Sequence, residues 1–158
     1  MLTWYVAPMK RAIFASTLLT ALSSVPAVAL AQGIPQVDLS AGYMATTDRR
    51  AAGTGIVTLH GVGVHLPGLH PQASVAVPFS GGGRFAATAE DVLHVPGGSY
   101  IGAGLGVGRL DAPLQTGMLY DVIGGTRVAP HVDLVGRYYG GLNRYTGQGI
   151  FAGLSLRL

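Results

Sequence analysis

The chain has 158 residues, 49% of them apolar and only 11% charged, which excludes a disordered protein and leaves room for one domain with a core. It has no cysteine, so disulfides and thiolate metal sites are out. Twenty-five glycines and nine prolines with 8% aromatics favour short strands and tight turns over a helical bundle, and the glycines lack the three-residue period of collagen.

The first element is a leader. Met9-Lys10-Arg11 precedes an apolar, small-residue run from Ala12 to Ala31 that closes on Val28-Ala29-Leu30-Ala31. A positive start, an apolar centre and a small-x-small end make a secretory signal, with cleavage expected after Ala31. Met1 to Pro8 add nothing such a signal needs, so Met9 is the expected start. The run could also span a bilayer as an uncleaved anchor, but Ser23, Ser24 and Pro26 weaken that reading. The expectation is a signal peptide over residues 1–31 and a single exported domain over 32–158. In that domain eight arginines face seven acids, and no basic run points to nucleic acid.

Eight strands can be laid along residues 32–158. Side chains on a strand change face at every residue. In the first, Val37, Leu39, Ala41 and Tyr43 oppose Asp38, Ser40 and Gly42. A polar loop over 46–54 leads to a second strand, from about Gly55 to Leu66. Its apolar parity slips between Val57 and Leu59 and the set Val62, Val64 and Leu66, so a bulge is expected near His60-Gly61. After the Pro-Gly turn at 66–71, Ala73, Val75, Val77 and Phe79 oppose Gln72, Ser74 and Ala76. Strand four, Arg84 to Val95, sets Phe85, Ala87, Ala89, Leu93 and Val95 against Arg84, Thr88 and Glu90; Asp91 breaks its pattern, and 86–93 could instead be a short helix. Strand five shows Ile101, Ala103, Leu105 and Val107 opposite Gly102, Gly104, Gly106 and Gly108, a glycine line that makes room for bulky neighbours or permits sharp curvature. In strand six Tyr120, Val122 and Val128 oppose Asp121 and Arg127. In strand seven Val132, Leu134 and Tyr138 oppose Asp133, Arg137 and Tyr139. The last nine residues alternate without a slip, with Ile150, Ala152, Leu154, Leu156 and Leu158 on one face.

This pattern fits an all-β, eight-stranded antiparallel up-and-down transmembrane β-barrel, apolar towards lipid and polar towards the lumen. Loops at 46–54, 80–83, 110–117 and 140–149 share one end; the Pro-containing turns at 66–71, 96–98 and 129–131 share the other with both termini. Eight spanning strands need roughly 70 to 90 positions, which leaves no room for a second domain. The inward face carries Asp38, Glu90, Asp121 and Asp133 with Arg84, Arg127, Arg137 and Arg157. Eight strands enclose an interior just wide enough for side chains, and buried charge is tolerated only when paired. A structural ionic network that plugs the lumen, leaving at most a narrow pore, is therefore expected.

The leader, the strand count and the apolar alternating last strand resemble the small outer-membrane β-barrel proteins, such as the membrane domain of outer membrane protein A. The resemblance covers residues 32–158 and rests on pattern rather than on a sequence motif. It implies residence in the outer membrane, lipid as the surrounding partner, and recognition of Ile150, Leu154, Leu156 and Leu158 by the barrel-assembly machinery. Leu158 stands where such proteins end on an aromatic residue. Because the family includes wall-tethering proteins, adhesins and a few lipid-modifying enzymes, it does not set function.

Other chemistry is thinly supported. His60, His65 and His70 recur every five residues, but that step alternates faces and His70 lies in a turn, so a metal site would need a bend. Ser74 or Ser99 could be combined with His94 and Glu90 as a hydrolase, yet no nucleophile-elbow frame surrounds either serine. The run from Gly102 to Gly108 is not a dinucleotide fingerprint. No cofactor, metal or catalytic residue is expected. Most tyrosines, namely Tyr43, Tyr100, Tyr120, Tyr138, Tyr139 and Tyr145, fall near strand ends, as an aromatic girdle at both interfaces requires. The expected function is an outer-membrane barrel with a structural or surface-interaction role, its loop partner unspecified. One alternative is a soluble exported barrel with apolar faces inward around an apolar ligand; the other is a lipid-modifying barrel hydrolase.

Overall fold

A computed structural model describes residues 36–62, 67–80, 82–111, 115–143 and 146–158, apart from the side chains of Arg49 and Arg50. The expected signal peptide lies outside the described residues. Eight strands follow one another: β1 (Val37–Thr46), β2 (Arg49–His60), β3 (His70–Pro78), β4 (Phe85–Val95), β5 (Ser99–Arg109), β6 (Gly117–Ala129), β7 (Val132–Gly141) and β8 (Gln148–Arg157). Each pairs antiparallel with the next, and β1 closes on β8 with Asp38 opposite Arg157 and Ala41 opposite Leu154. No strand is left with an open edge, so the backbone groups that an apolar surrounding could not satisfy are paired within the sheet.

Face assignment follows the alternation. Leu39, Leu93, Ile101, Leu105, Val122, Leu134, Ile150 and Leu154 are exposed on the outside. Met44, Ile56, Thr58, Glu90, Asp121, Arg137 and Phe151 are buried inside. Strand β4 is extended throughout and Asp91 takes the outward parity, so the short helix over 86–93 does not form. The outward apolar set also overturns the soluble-barrel alternative, which needed Leu105, Leu134 and Leu154 inside.

Three boundaries differ from expectation. Thr46 pairs with Arg49 across a two-residue turn, so 49–54 is strand rather than loop. The parity slip after Leu59 is not a bulge: β2 ends at His60, and Gly61, at φ +78°, turns the chain away while its N–H donates to the Pro71 carbonyl at 2.8 Å. Val64 and Leu66 lie outside the described residues. Register shifts occur instead at Met44/Thr46 and Arg127/Ala129, beside tight turns. The longest connection, 61–69, is on the side of the termini rather than among the loops.

The glycine line on β5 makes room for neighbouring side chains, as expected, and lets the adjacent strand approach closely. Space beside Gly104 is filled by Glu90, and beside Gly108 by Leu119. At Gly106 the neighbouring strand comes so close that an added Cβ would meet the Ala87 carbonyl and lie 2.7 Å from the Thr88 Cα. Gly42 and Gly153, opposite each other at the β1–β8 closure, approach as tightly. These two closely packed places lie on opposite sides of the strand order.

Candidate functional site: the barrel interior

The interior is layered. Nearest the loop end, Met44, Ile56, Leu119, Tyr139 and Phe151 point inward with at most 2% exposure, and Leu110 from the β5–β6 connection is buried in the same apolar cluster. Glycines concede the volume for several of them: Leu119 lies beside Gly108 of β5, Met44 and Leu110 beside Gly149 of β8, and Phe151 beside Gly153 of β8.

Below this apolar storey sits Arg137 of β7. Its Nη1 donates to Glu90 Oε1 of β4 at 2.6 Å and to Asp121 Oδ2 of β6 at 2.9 Å; Nη2 donates to Ser74 Oγ at 2.9 Å. Glu90 also accepts from Gln72 Nε2 at 2.6 Å and from the Thr88 hydroxyl. Ser74 and Thr58 share a further hydrogen bond of 3.1 Å. One guanidinium thus serves two carboxylates and two hydroxyls on β2, β3, β4 and β6, a use of the planar fork that lysine could not match.

The other inward charges do not join it. Towards the turn end, Asp133 accepts from Arg157 Nη2 at 2.9 Å with Arg127 3.7 Å away, while Asp38 lies 2.9 Å from His60 Nε2. A cavity of about 20 Å³ lies among Asp38, His60, His94, Tyr100, Asp133 and Arg157, room for about one water. Towards the loop end, Arg84 donates from Nη2 to Asp48 at 2.5 Å and from Nε to the Leu110 carbonyl at 2.5 Å. Asp111 then accepts from the backbone N–H of Asp48 at 3.3 Å and of Gln148 at 3.1 Å. Among the described residues the expected network of four acids and four arginines is therefore four separate groups: Arg137 with Glu90 and Asp121, Asp133 with Arg157 and Arg127, Asp38 with His60, and Arg84 with Asp48. Sequence reasoning missed Asp48, Asp111 and His60, whose partners come from other strands. It also missed the polar helpers Gln72, Thr58, Ser74 and Thr88, although their inward parity was readable. A cleft of about 420 Å³ opens at the loop end among Thr47, Asp111, Leu142, Asn143 and Gln148.

The hydrolase combination does not assemble. Ser74 is committed to Arg137 and Thr58, Ser99 donates to Thr126 at 3.0 Å, and Glu90 is taken by Arg137. Among the described residues no three His, Cys, Asp or Glu side chains are grouped as a metal site; His65 lies outside them.

Among the described residues, outward-facing aromatics gather at the loop-end rim. Tyr43, Phe79, Phe85, Tyr120 and Tyr138 face outward near the loop end. Phe79 covers Gly53 and Gly55, Tyr120 covers Gly140, and the Tyr120 and Tyr138 rings lie 5.8 Å apart. Arg109 sits over the Phe85 ring at 5.7 Å. The two-sided girdle expected from sequence is corrected: Tyr100 and Tyr139 point inward, because their parity on β5 and β7 puts them with the lumen residues. Tyr145 lies outside the described residues.

This architecture has solved counterparts. The de novo designed protein TMB2.3 superposes with a TM-score of 0.56 at 23% identity, over 80% of this chain and 98% of that one. The outer membrane protein Ail of Yersinia pestis, solved in a phospholipid bilayer nanodisc, does so at 0.54 and 13% identity, over 78% and 99%. The chain has the fold of the small eight-stranded outer-membrane β-barrels. No protein-family model matches the chain, and no curated protein sequence does. In this transmembrane β-barrel Ile150, Leu154, Leu156 and Leu158 all lie exposed on the outside of β8 and its end, and exposed apolar residues on β1, β4, β5, β6 and β7 continue the band.

Proposed function

We propose that this chain is an outer-membrane β-barrel with a structural or surface-interaction role, closed to ions and without enzymatic chemistry. The observation that carries the reading is the inversion of polarity: Leu105 and Leu154 are 58% and 53% exposed while Glu90, Asp121 and Arg137 are buried. Exposed apolar surface on this scale has a place in lipid and none in water. The lumen is plugged twice, by the apolar storey around Phe151 and Tyr139 and by the Arg137 group beneath it. Residues 1–31 act as a cleaved signal peptide, and the barrel-assembly machinery reads Ile150, Leu154, Leu156 and Leu158. The loop end faces outward from the cell, where the cleft beside Asp111 and Asn143 is the recess an external group would enter.

The test is membrane fractionation followed by gel mobility with and without boiling in dodecyl sulfate. A closed membrane barrel co-fractionates with the outer membrane and shifts its band only on heating. A protein that appears in the soluble fraction with no shift overturns the reading.

A further inference from the structure

At the turn end one histidine of the five-residue series, His70, meets one outside it, His94. His70 opens β3 and His94 lies next to the end of β4. Antiparallel register sets His70 opposite Val92, which makes His94 its diagonal neighbour on the same face. Their rings meet edge to face, with centroids 4.8 Å apart and planes at 82°. Tyr100, opposite His94, backs the pair with its ring 5.7 Å from that of His94. Both histidines are exposed at the mouth. Among the described residues no hydrogen bond or ion pair engages either imidazole. His60 differs, being held by Asp38 at 2.9 Å.

We propose that His70 and His94 form a two-imidazole site for a divalent transition-metal ion, copper(II) or zinc(II), at the turn-end mouth of the barrel. Metal–nitrogen bonds of about 2.0–2.1 Å place two ligating nitrogens roughly 3 Å apart. Rings already in edge contact reach that spacing by rotation about χ2, a soft torsion in histidine. Imidazole is the side-chain donor suited to copper and zinc, and a mouth open to solvent supplies the entry path. No third His, Cys, Asp or Glu among the described residues completes the set, so the remaining positions go to water or to an incoming ligand. The site requires only the barrel register, not the proposed role in the outer membrane.

The experiment is titration of the full mature chain, refolded in detergent micelles without a polyhistidine tag, with copper(II) chloride and with zinc chloride. Calorimetry gives stoichiometry and affinity, and histidine-ring NMR in zinc gives the ligands. Expected are one ion per barrel, copper bound more tightly than zinc, and zinc-induced shifts confined to the His70 and His94 rings. His70→Asn and His94→Asn should each weaken binding by about tenfold or more, and because a supporting partner can cost as much, the zinc-induced shifts of the two rings are the readout that identifies them as ligands. His131→Asn should leave binding unchanged; His131 sits on an exposed turn at φ +64°, which asparagine accepts. A heat-dependent band shift retained in each variant shows that it is folded. Absence of saturable binding to the wild-type barrel overturns the proposal. So does binding that survives both substitutions, or ring shifts centred on His60 or His131.

Discussion

Arg137 on β7 and Glu90 on β4 meet across the lumen at 2.6 Å, although β5 and β6 separate their strands in the sheet. The contact is a strut between walls, not a rung between neighbours. With Asp121 at 2.9 Å it leaves two carboxylates dependent on one guanidinium in a place water barely reaches.

Removing that guanidinium should therefore be severe. Arg137→Met is expected to destabilise the barrel by about 3–5 kcal/mol, since it strands two buried acids. Adding Glu90→Gln and Asp121→Asn to the same chain should recover part of the loss. Urea unfolding in lipid vesicles measures both.

The outer surface makes a depth-dependent prediction. Leu105 lies at the middle of β5, so Leu105→Arg should cost about 2–4 kcal/mol of folding free energy in vesicles, and Val95→Arg at the end of β4 about 0–1 kcal/mol. Equal penalties at the two positions would argue against a lipid-facing band.

Glycine positions separate crowded from open backbone. Gly106→Ala puts a Cβ onto the Ala87 carbonyl and 2.7 Å from the Thr88 Cα; overpacking of that kind costs about 1–3 kcal/mol. At Gly124 the nearest atom to a Cβ is the Tyr100 carbonyl at 3.8 Å, so Gly124→Ala should stay within about 0.5 kcal/mol of the parent. Thermal or urea midpoints of the pair decide it.

The proposed closure of the lumen predicts the absence of steady conductance in planar bilayers. Phe151, 1% exposed in the apolar storey, is the side chain to remove: Phe151→Ala should cost about 3–5 kcal/mol in stability. It should still conduct nothing on its own, because the Arg137 group remains below it. Steps of current in the parent barrel would contradict the plug.

At the loop end, Asp111 ties the β1–β2 turn to the start of β8 through the N–H groups of Asp48 and Gln148. Asp111→Ala should speed hydrogen exchange at both amides while leaving exchange in the strand interiors unchanged, since the lacing holds only a turn and the first residue of β8.

How much of this was readable in the residues depends on the range of the cause. Alternation is local, and it placed Leu39 outside and Asp38 inside, Glu90 with Thr88, and all four β5 glycines in the lumen. It failed after His60, where a turn and a bulge produce the same change of parity, and over 49–54, where polar residues at the start of β2 read as a loop. The tyrosines misled because closeness to a strand end says nothing about face, and parity put Tyr100 and Tyr139 inside.

The sequence by itself determined the number of strands, their faces and the inverted polarity that goes with lipid. Those follow from a two-residue period and from the hydropathy of each side chain. Only the closed tertiary structure decided which inward groups meet. Arg84 finds Asp48, Asp38 finds His60, His70 finds His94, and Arg137 takes Glu90 and Asp121 together. These partners are set by strand register and by the width of an eight-stranded lumen, and closure of the sheet fixes both at once through contacts between residues far apart in the chain.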